Sequence, residues 1–194
     1  MSNLIINKKI DFLVVALVFV IYQITLAPSV VQIDSGELAA VQYSLGIAHP
    51  SGYPLFTILG YLFGQIPMPI SKIYQFNLLA SIYTTISVFF IIRSIRLILG
   101  SIVPVKQNVK QNRKKQNKIS NLIPKLSEFQ ISVFSITGGL IAAFSKTFWF
   151  QSTSVEVYSL HLLLLSVILF QSFKIATKEK TERKDWIILA ISLA

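Results

Sequence analysis

The stretch VVQIDSGELAAVQYSLGIAHPSGYPLF, Val30 to Phe56, places two carboxylates, a histidine and a series of Gly and Pro turn signals directly behind the first hydrophobic segment of the chain. Everything around it is apolar. The chain is 53% hydrophobic and 13% charged, with a mean hydropathy of +0.64, more apolar than a soluble domain can solvate. The sequence is that of an integral membrane protein, and the polar interruption is the place where its topology and chemistry are decided.

Charge and cysteine content narrow the class further. There is no cysteine, which excludes a disulfide framework and a thiolate metal site. The net charge of +10 invites a nucleic-acid partner, but its distribution argues against one. Nine Lys/Arg and no Asp/Glu fall between Arg93 and Lys125, beside a hydrophobic segment, and that is the positive-inside signature of a cytoplasmic loop. Residues 100–127, rich in Lys, Asn and Gln, read as a solvated cytoplasmic linker, with anionic-lipid or nucleic-acid binding as the alternative.

Hydrophobic segments predict spans over about residues 10–26, 76–99, 131–150 and 157–173, with a further one starting at Trp186. Residues 10–26 are read as an uncleaved anchor, because Pro28 directly follows the small-residue site Thr25-Leu26-Ala27 and disfavours signal cleavage. The segment from Trp186 stops after nine residues, too few to cross a hydrocarbon core of roughly 30 Å, so the chain is expected to be the N-terminal fragment of a longer protein. Pro54 to Ile66 is only 13 residues long and bounded by prolines, which fits a re-entrant or interfacial helix. If it crossed, Lys8 and Lys9 would face the opposite side from the basic loop, against the positive-inside rule. The fold class is therefore all-α, a polytopic transmembrane helical bundle in a cytoplasmic (inner) membrane. Its N-terminus is cytoplasmic, and residues 27–75 form one extracytoplasmic loop on the same side as the turn at Gln151 to Glu156.

Five of the seven prolines lie between Pro28 and Pro69, so the outer loop is shaped. Ser35 to Leu45 predicts a short surface helix with Leu38, Val41 and Leu45 at helical spacing, stopped by Gly46. A rigid turn at AHPSGYPLF follows, with Gly52 free to take unusual φ, and a second short helix begins at Pro54. Asp34-Ser35-Gly36-Glu37 has the spacing of a capping box. Asp34 can equally be a general base for a hydroxyl acceptor, and periodicity does not choose between the two.

The runs Thr25 to Val30, Asp34-Ser35-Gly36-Glu37 and Ala48-His49-Pro50-Ser51-Gly52-Tyr53-Pro54-Leu55, then NLLASIY at Asn77 to Tyr83 and FSKTFWFQSTSVEVYSLH at Phe144 to His161, resemble a family of multipass membrane proteins long labelled only as a domain of unknown function. Its animal member is a lumenal protein O-mannosyltransferase, and the family is similar to the C-type glycosyltransferases (GT-C fold). The match runs from residue 25 to 161 in the family's own order. It departs at Ser51, where the family usually has a second proline. The resemblance implies transfer of a mannose-like hexose from a polyprenyl-phosphate carrier to an extracytoplasmic protein or glycan hydroxyl, inverting, with Asp34 as the base. It implies no cofactor beyond that lipid-linked donor; a divalent metal on Asp34, Glu37 and Glu156 is the weaker expectation.

The remaining candidates are substrate-binding residues. Glu37 either positions the acceptor or completes the cap; His49 either donates to a sugar hydroxyl or packs in its turn; Tyr53 is an interfacial aromatic able to stack on sugar or prenyl chain. Lys146, with Lys72 the only Lys/Arg in the predicted outer half, either serves a departing lipid phosphate or snorkels to the interface. Glu156 lies in the turn on the side of Asp34, while Tyr158 and His161 follow it, His161 inside a span where a polar ring needs a partner such as Glu156 or Tyr158. No Walker loop, dinucleotide fingerprint or zinc spacing is present. A secondary transporter and a non-catalytic membrane assembly subunit are the alternative functions.

Overall fold

A computed structural model describes residues 2–31, 33–50, 52–102, 126–177 and 181–193. The described residues are helical with short connections: α1 (Ser2–Ile24), α2 (Ser35–Ser44), α3 (Pro54–Gly64), α4 (Lys72–Ile102), α5 (Glu128–Ala143), α6 (Lys146–Thr153), α7 (Val157–Thr177) and α8 (Arg183–Leu193). Among them α4 and α7 are long and apolar enough to cross a bilayer, and the bent pair α5–α6 makes a third candidate. Helix α1 covers the predicted anchor but carries Asp11 among its apolar residues. The all-helical membrane bundle expected from hydropathy is what forms, and most of the basic linker, residues 103–125, lies outside the described residues.

Helix α4 is the hub. On one side Val88 and Ile92 pack with Val15, Val18 and Tyr22 of α1 and with Ala143 of α5. On the other, Phe76, Leu79 and Tyr83 pack with Leu38 and Val41 of α2, Phe56 of α3, and Val155, Val157 and Leu160 at the start of α7. At Gly139 the α5 backbone comes so close to α4 that a Cβ would sit 2.2 Å from Ile92 Cγ1.

Three features depart from the sequence-based expectation. The predicted span 131–150 is two helices, α5 and α6, meeting at 62°. A break inside a membrane must have its backbone groups bonded, and here the Tyr22 hydroxyl donates to the Ala143 carbonyl at 2.7 Å, the Ser145 hydroxyl donates to Ala142 O at 2.7 Å, and Ser145 Oγ accepts from Phe148 N–H at 3.4 Å. Second, Arg93 and Arg96, counted with the basic block although they fall inside the predicted span 76–99, are paired within the bundle. Both bond the fully buried Asp11 of α1, and Arg96 also donates to Ser132 of α5 at 2.7 Å, which offsets the cost of a carboxylate inside the bundle. Third, α2 ends with Leu45, not Gly46, in the left-handed region (φ 55), and the N–H groups of Leu45 and Gly46 both bond Val41 O, that of Gly46 at 2.9 Å.

The short helix at Pro54 forms as expected, with Pro54 in its first turn behind Tyr53 at φ 42 and Gly52 at φ 83. Its C-terminal carbonyls are taken up from α4. Gln75 Nε2 donates to Phe63 O at 2.8 Å and Ile66 O at 3.0 Å, and Lys72 Nζ donates to Gly64 O. Lys72 is thus a cap on a helix C-terminus, where a cation is favoured.

Candidate active site

The end of the bundle that carries α2 and α3 is assembled by a few long-range bonds. Ala27 N–H donates to Thr153 O at 2.9 Å, tying the segment after α1 to the end of α6. Asn77, fully buried in α4, donates from Nδ2 to Ala27 O at 2.8 Å and accepts Val155 N–H on Oδ1 at 2.8 Å. Ser35, fully buried at the first position of α2, donates to Val155 O at 3.2 Å. The chain segment bearing Asp34 and the one bearing Glu156, 122 positions apart, are thereby held together.

Between them lies an open cavity of about 420 Å³ lined by Val31, Ile33, Asp34, Phe150, Thr153 and Glu156. Asp34 is exposed to it, with φ −89 and ψ −12, and makes no side-chain capping bond. The capping box expected at Asp34 and Glu37 does not form. An N-cap side chain swings back over its helix from an extended backbone, whereas the Asp34 backbone is already helical. The helix-capping box that does form is Ser127 with Gln130, at the start of α5.

Glu37 is used elsewhere. Its carboxylate accepts the His49 backbone N–H at 2.7 Å and lies 3.1 Å from His49 Nδ1. These two bonds, the backbone one foremost, hold the Glu37 carboxyl below its ordinary range. His49 also meets the Tyr53 ring edge-on, 5.6 Å between centroids, so Glu37, His49 and Tyr53 form one cluster linking α2 to the turn before α3. Glu156 as a residue is 7% exposed, and its carboxyl is pushed up, mainly by burial and next by the nearby negative charge of Asp34; His49 pulls it the other way. Asp34, Glu156 and His49 thus share one electrostatic neighbourhood.

The other candidates sit outside the cavity lining. Lys146 opens α6 and is exposed; seven residues from Thr153, it is about 10 Å away along the helix. It shares a helix face with Phe150 and Thr153, four and seven positions on. Tyr158 and His161 are exposed on α7 and pair with each other, 6.1 Å between ring centroids, while His161 Nδ1 lies 3.2 Å from Val157 O. Of the two partners expected for His161, the structure provides Tyr158. No three His, Cys, Asp or Glu side chains among the described residues form a metal-binding group. Sequence reasoning noted Ser35, Asn77 and Thr153 only within motifs and gave none of them a role. The available signal for Asn77 was an amide in an apolar segment, which is costly unless bonded.

Comparison with known proteins matches residues 34–194 to the N-terminal domain of protein O-mannosyl-transferase TMEM260. The chain belongs to that family. It is 38% identical over 96 residues to the protein O-mannosyl-transferase tmem260 of Dictyostelium discoideum, covering 46% of this chain and 12% of that protein. It is 28% identical over 185 residues to protein O-mannosyl-transferase TMEM260 of Mus musculus, covering 92% of this chain and 22% of that protein. The chain therefore spans under a quarter of the length of these relatives. No solved structure matches it. The matched region takes in Asp34, the Glu37–His49 cluster, Asn77 and Glu156.

Proposed function

We propose that the protein is a membrane glycosyltransferase that moves a hexose, mannose-like as in the names of its relatives, from a polyprenyl-phosphate carrier to a protein hydroxyl outside the cytoplasm. The observation that carries this is the convergence of Asp34 and Glu156 in one open cavity at a single end of the bundle, in a chain of the O-mannosyl-transferase family.

In the transfer, the ionised Asp34 carboxylate takes the proton of the acceptor hydroxyl as its oxygen attacks the anomeric carbon. The new C–O bond forms as the bond to the carrier phosphate breaks, and the phosphate leaves with the electron pair. Attack opposite the leaving group inverts the anomeric centre. Glu156, which lines the cavity with Asp34, is available to hydrogen-bond sugar hydroxyls, and His49, whose charge acts on Glu156, is a second group for them. Phe150 and Thr153 line the cavity, and Lys146 on the same face of α6 supplies a cation on the route by which a lipid phosphate would arrive. No step uses a metal or a further cofactor. The membrane is a bacterial-type inner membrane, with the N-terminus cytoplasmic and the cavity on the outer side.

The test is transfer of radiolabelled sugar from a polyprenyl-phosphate carrier by the full-length protein in membranes. Wild type transfers in the presence of a chelator, and Asp34→Asn at equal expression loses at least a hundredfold in rate, the scale of a positioned base. Normal turnover by Asp34→Asn would remove Asp34 from this role.

A further inference from the structure

The Val155 peptide is gripped on both sides. Its N–H donates to Asn77 Oδ1 at 2.8 Å and its carbonyl accepts from Ser35 Oγ at 3.2 Å. Both gripping side chains are fully buried. Asn77 uses its other end on the segment leading to Asp34, donating to Ala27 O at 2.8 Å and Ser29 O at 3.4 Å. Ser35 directly follows Asp34, and Val155 directly precedes Glu156. Asp34 is thus one residue from a gripping side chain, and Glu156 one residue from the gripped Val155.

We propose that Asn77 and Ser35 are positioning residues that clamp the Val155 peptide and so set the separation of the Asp34 and Glu156 carboxylates across the cavity. The chemistry of the grip explains the residue types. The site at Asn77 needs an acceptor toward Val155 N–H and a donor toward Ala27 O, and a side-chain amide supplies both from one planar group. An aspartate there keeps the acceptor and faces the Ala27 carbonyl with another oxygen. Ser35 supplies a donor short enough to fit the first turn of α2 against Val155. Without these bonds the peptide of Val155 and the carbonyl of Ala27 would be buried with no partner, which a fold rarely tolerates. Neither clamp residue lines the cavity, so neither touches a substrate held there; they act through the carboxylates. Their catalytic consequence rests on the transferase function proposed above, whereas their geometric consequence does not.

The two are separated by paired measurements on the full-length protein. Spin labels on cysteines introduced at Ile33 and Tyr158, in a cysteine-free background, report the distance between the two segments. The clamp predicts a single narrow distance that broadens in Asn77→Asp and, less, in the milder Ser35→Ala. In unlabelled protein, Asn77→Asp lowers kcat at least tenfold because the base Asp34 is misaligned, and raises KM for the donor by less than that, because Glu156 is the one sugar-binding group the clamp displaces. The double variant Asn77→Asp/Ser35→Ala loses little more than Asn77→Asp alone, since both act on one peptide. An unchanged distance distribution in both single variants overturns the clamp, as does a loss confined to KM. Broadening in the variants while wild type transfers no sugar from any carrier upholds the clamp and overturns the transferase instead.

Discussion

Glu156 and Asp34 owe their chemistry to what surrounds them. Burial and the charge of Asp34 raise the Glu156 carboxyl above its ordinary value of 4.5, so the folded protein keeps a proton that the unfolded chain releases. Stability then falls as pH climbs from 4.5 through the raised value, and is level above it. Thermal unfolding from pH 4 to 8 should show this fall in wild type and its absence in Glu156→Gln. In Asp34→Asn the fall should occupy a narrower pH window, because one of the two raising influences is gone; equal windows in wild type and Asp34→Asn would mean the two carboxylates do not sense each other. Glu37 shows how far spacing can mislead. Three residues after Asp34 it fits a capping box, but the backbone of Asp34 is helical and the turn at His49 offers Glu37 two better-placed donors. Local spacing cannot see a donor twelve residues away.

At the scale of elements, polar groups inside the bundle mark where helices are joined. Asp11 of α1 is fully buried against Arg93 and Arg96 of α4, and Arg96 extends the link to Ser132 of α5. Removing the carboxylate leaves two arginines facing each other without their counter-ion, a change that costs about 3–5 kcal/mol in buried pairs. Asp11→Ala should therefore lower the Tm of the full-length protein in detergent by several degrees, and an unchanged Tm would show that the arginines find equal partners elsewhere. The broken helix follows a similar logic. Residues 131–150 are apolar enough for one span, and only the placement of Tyr22 and Ser145 to receive or cap the freed backbone groups makes a 62° bend stable. The bend directs α6 so that Phe150 and Thr153 reach the cavity.

For the whole molecule, the bonds joining Ala27, Asn77, Ser35, Thr153 and Val155 collect the ends of α1 and α6 and the beginnings of α2, α4 and α7 at one pole. Ser101 and Glu128 belong to the opposite ends of α4 and α5. With the orientation proposed above, cysteines introduced singly at Ser29, Ile47 and Tyr158, all exposed, should react with a membrane-impermeant maleimide added outside intact cells. Cysteines at Ser101 and Glu128 should react only after the membrane is opened. Labelling of Ser29 and Tyr158 from different sides would contradict a common pole.

The sequence by itself determined the class of molecule. Apolar runs of span length, a 13-residue run too short to cross and a block of lysines and arginines impose a helical membrane bundle, because hydrocarbon demands that backbone groups be bonded within each segment. It also carried Asp34, through motifs that resemble a transferase family rather than through periodicity. Only the tertiary structure decided what Asp34 faces. The meeting of Asp34 with Glu156, the diversion of Glu37 to His49 and the grip of Asn77 and Ser35 on Val155 all join residues far apart in the chain, and such contacts depend on how α4 packs between its neighbours, which local propensity does not encode.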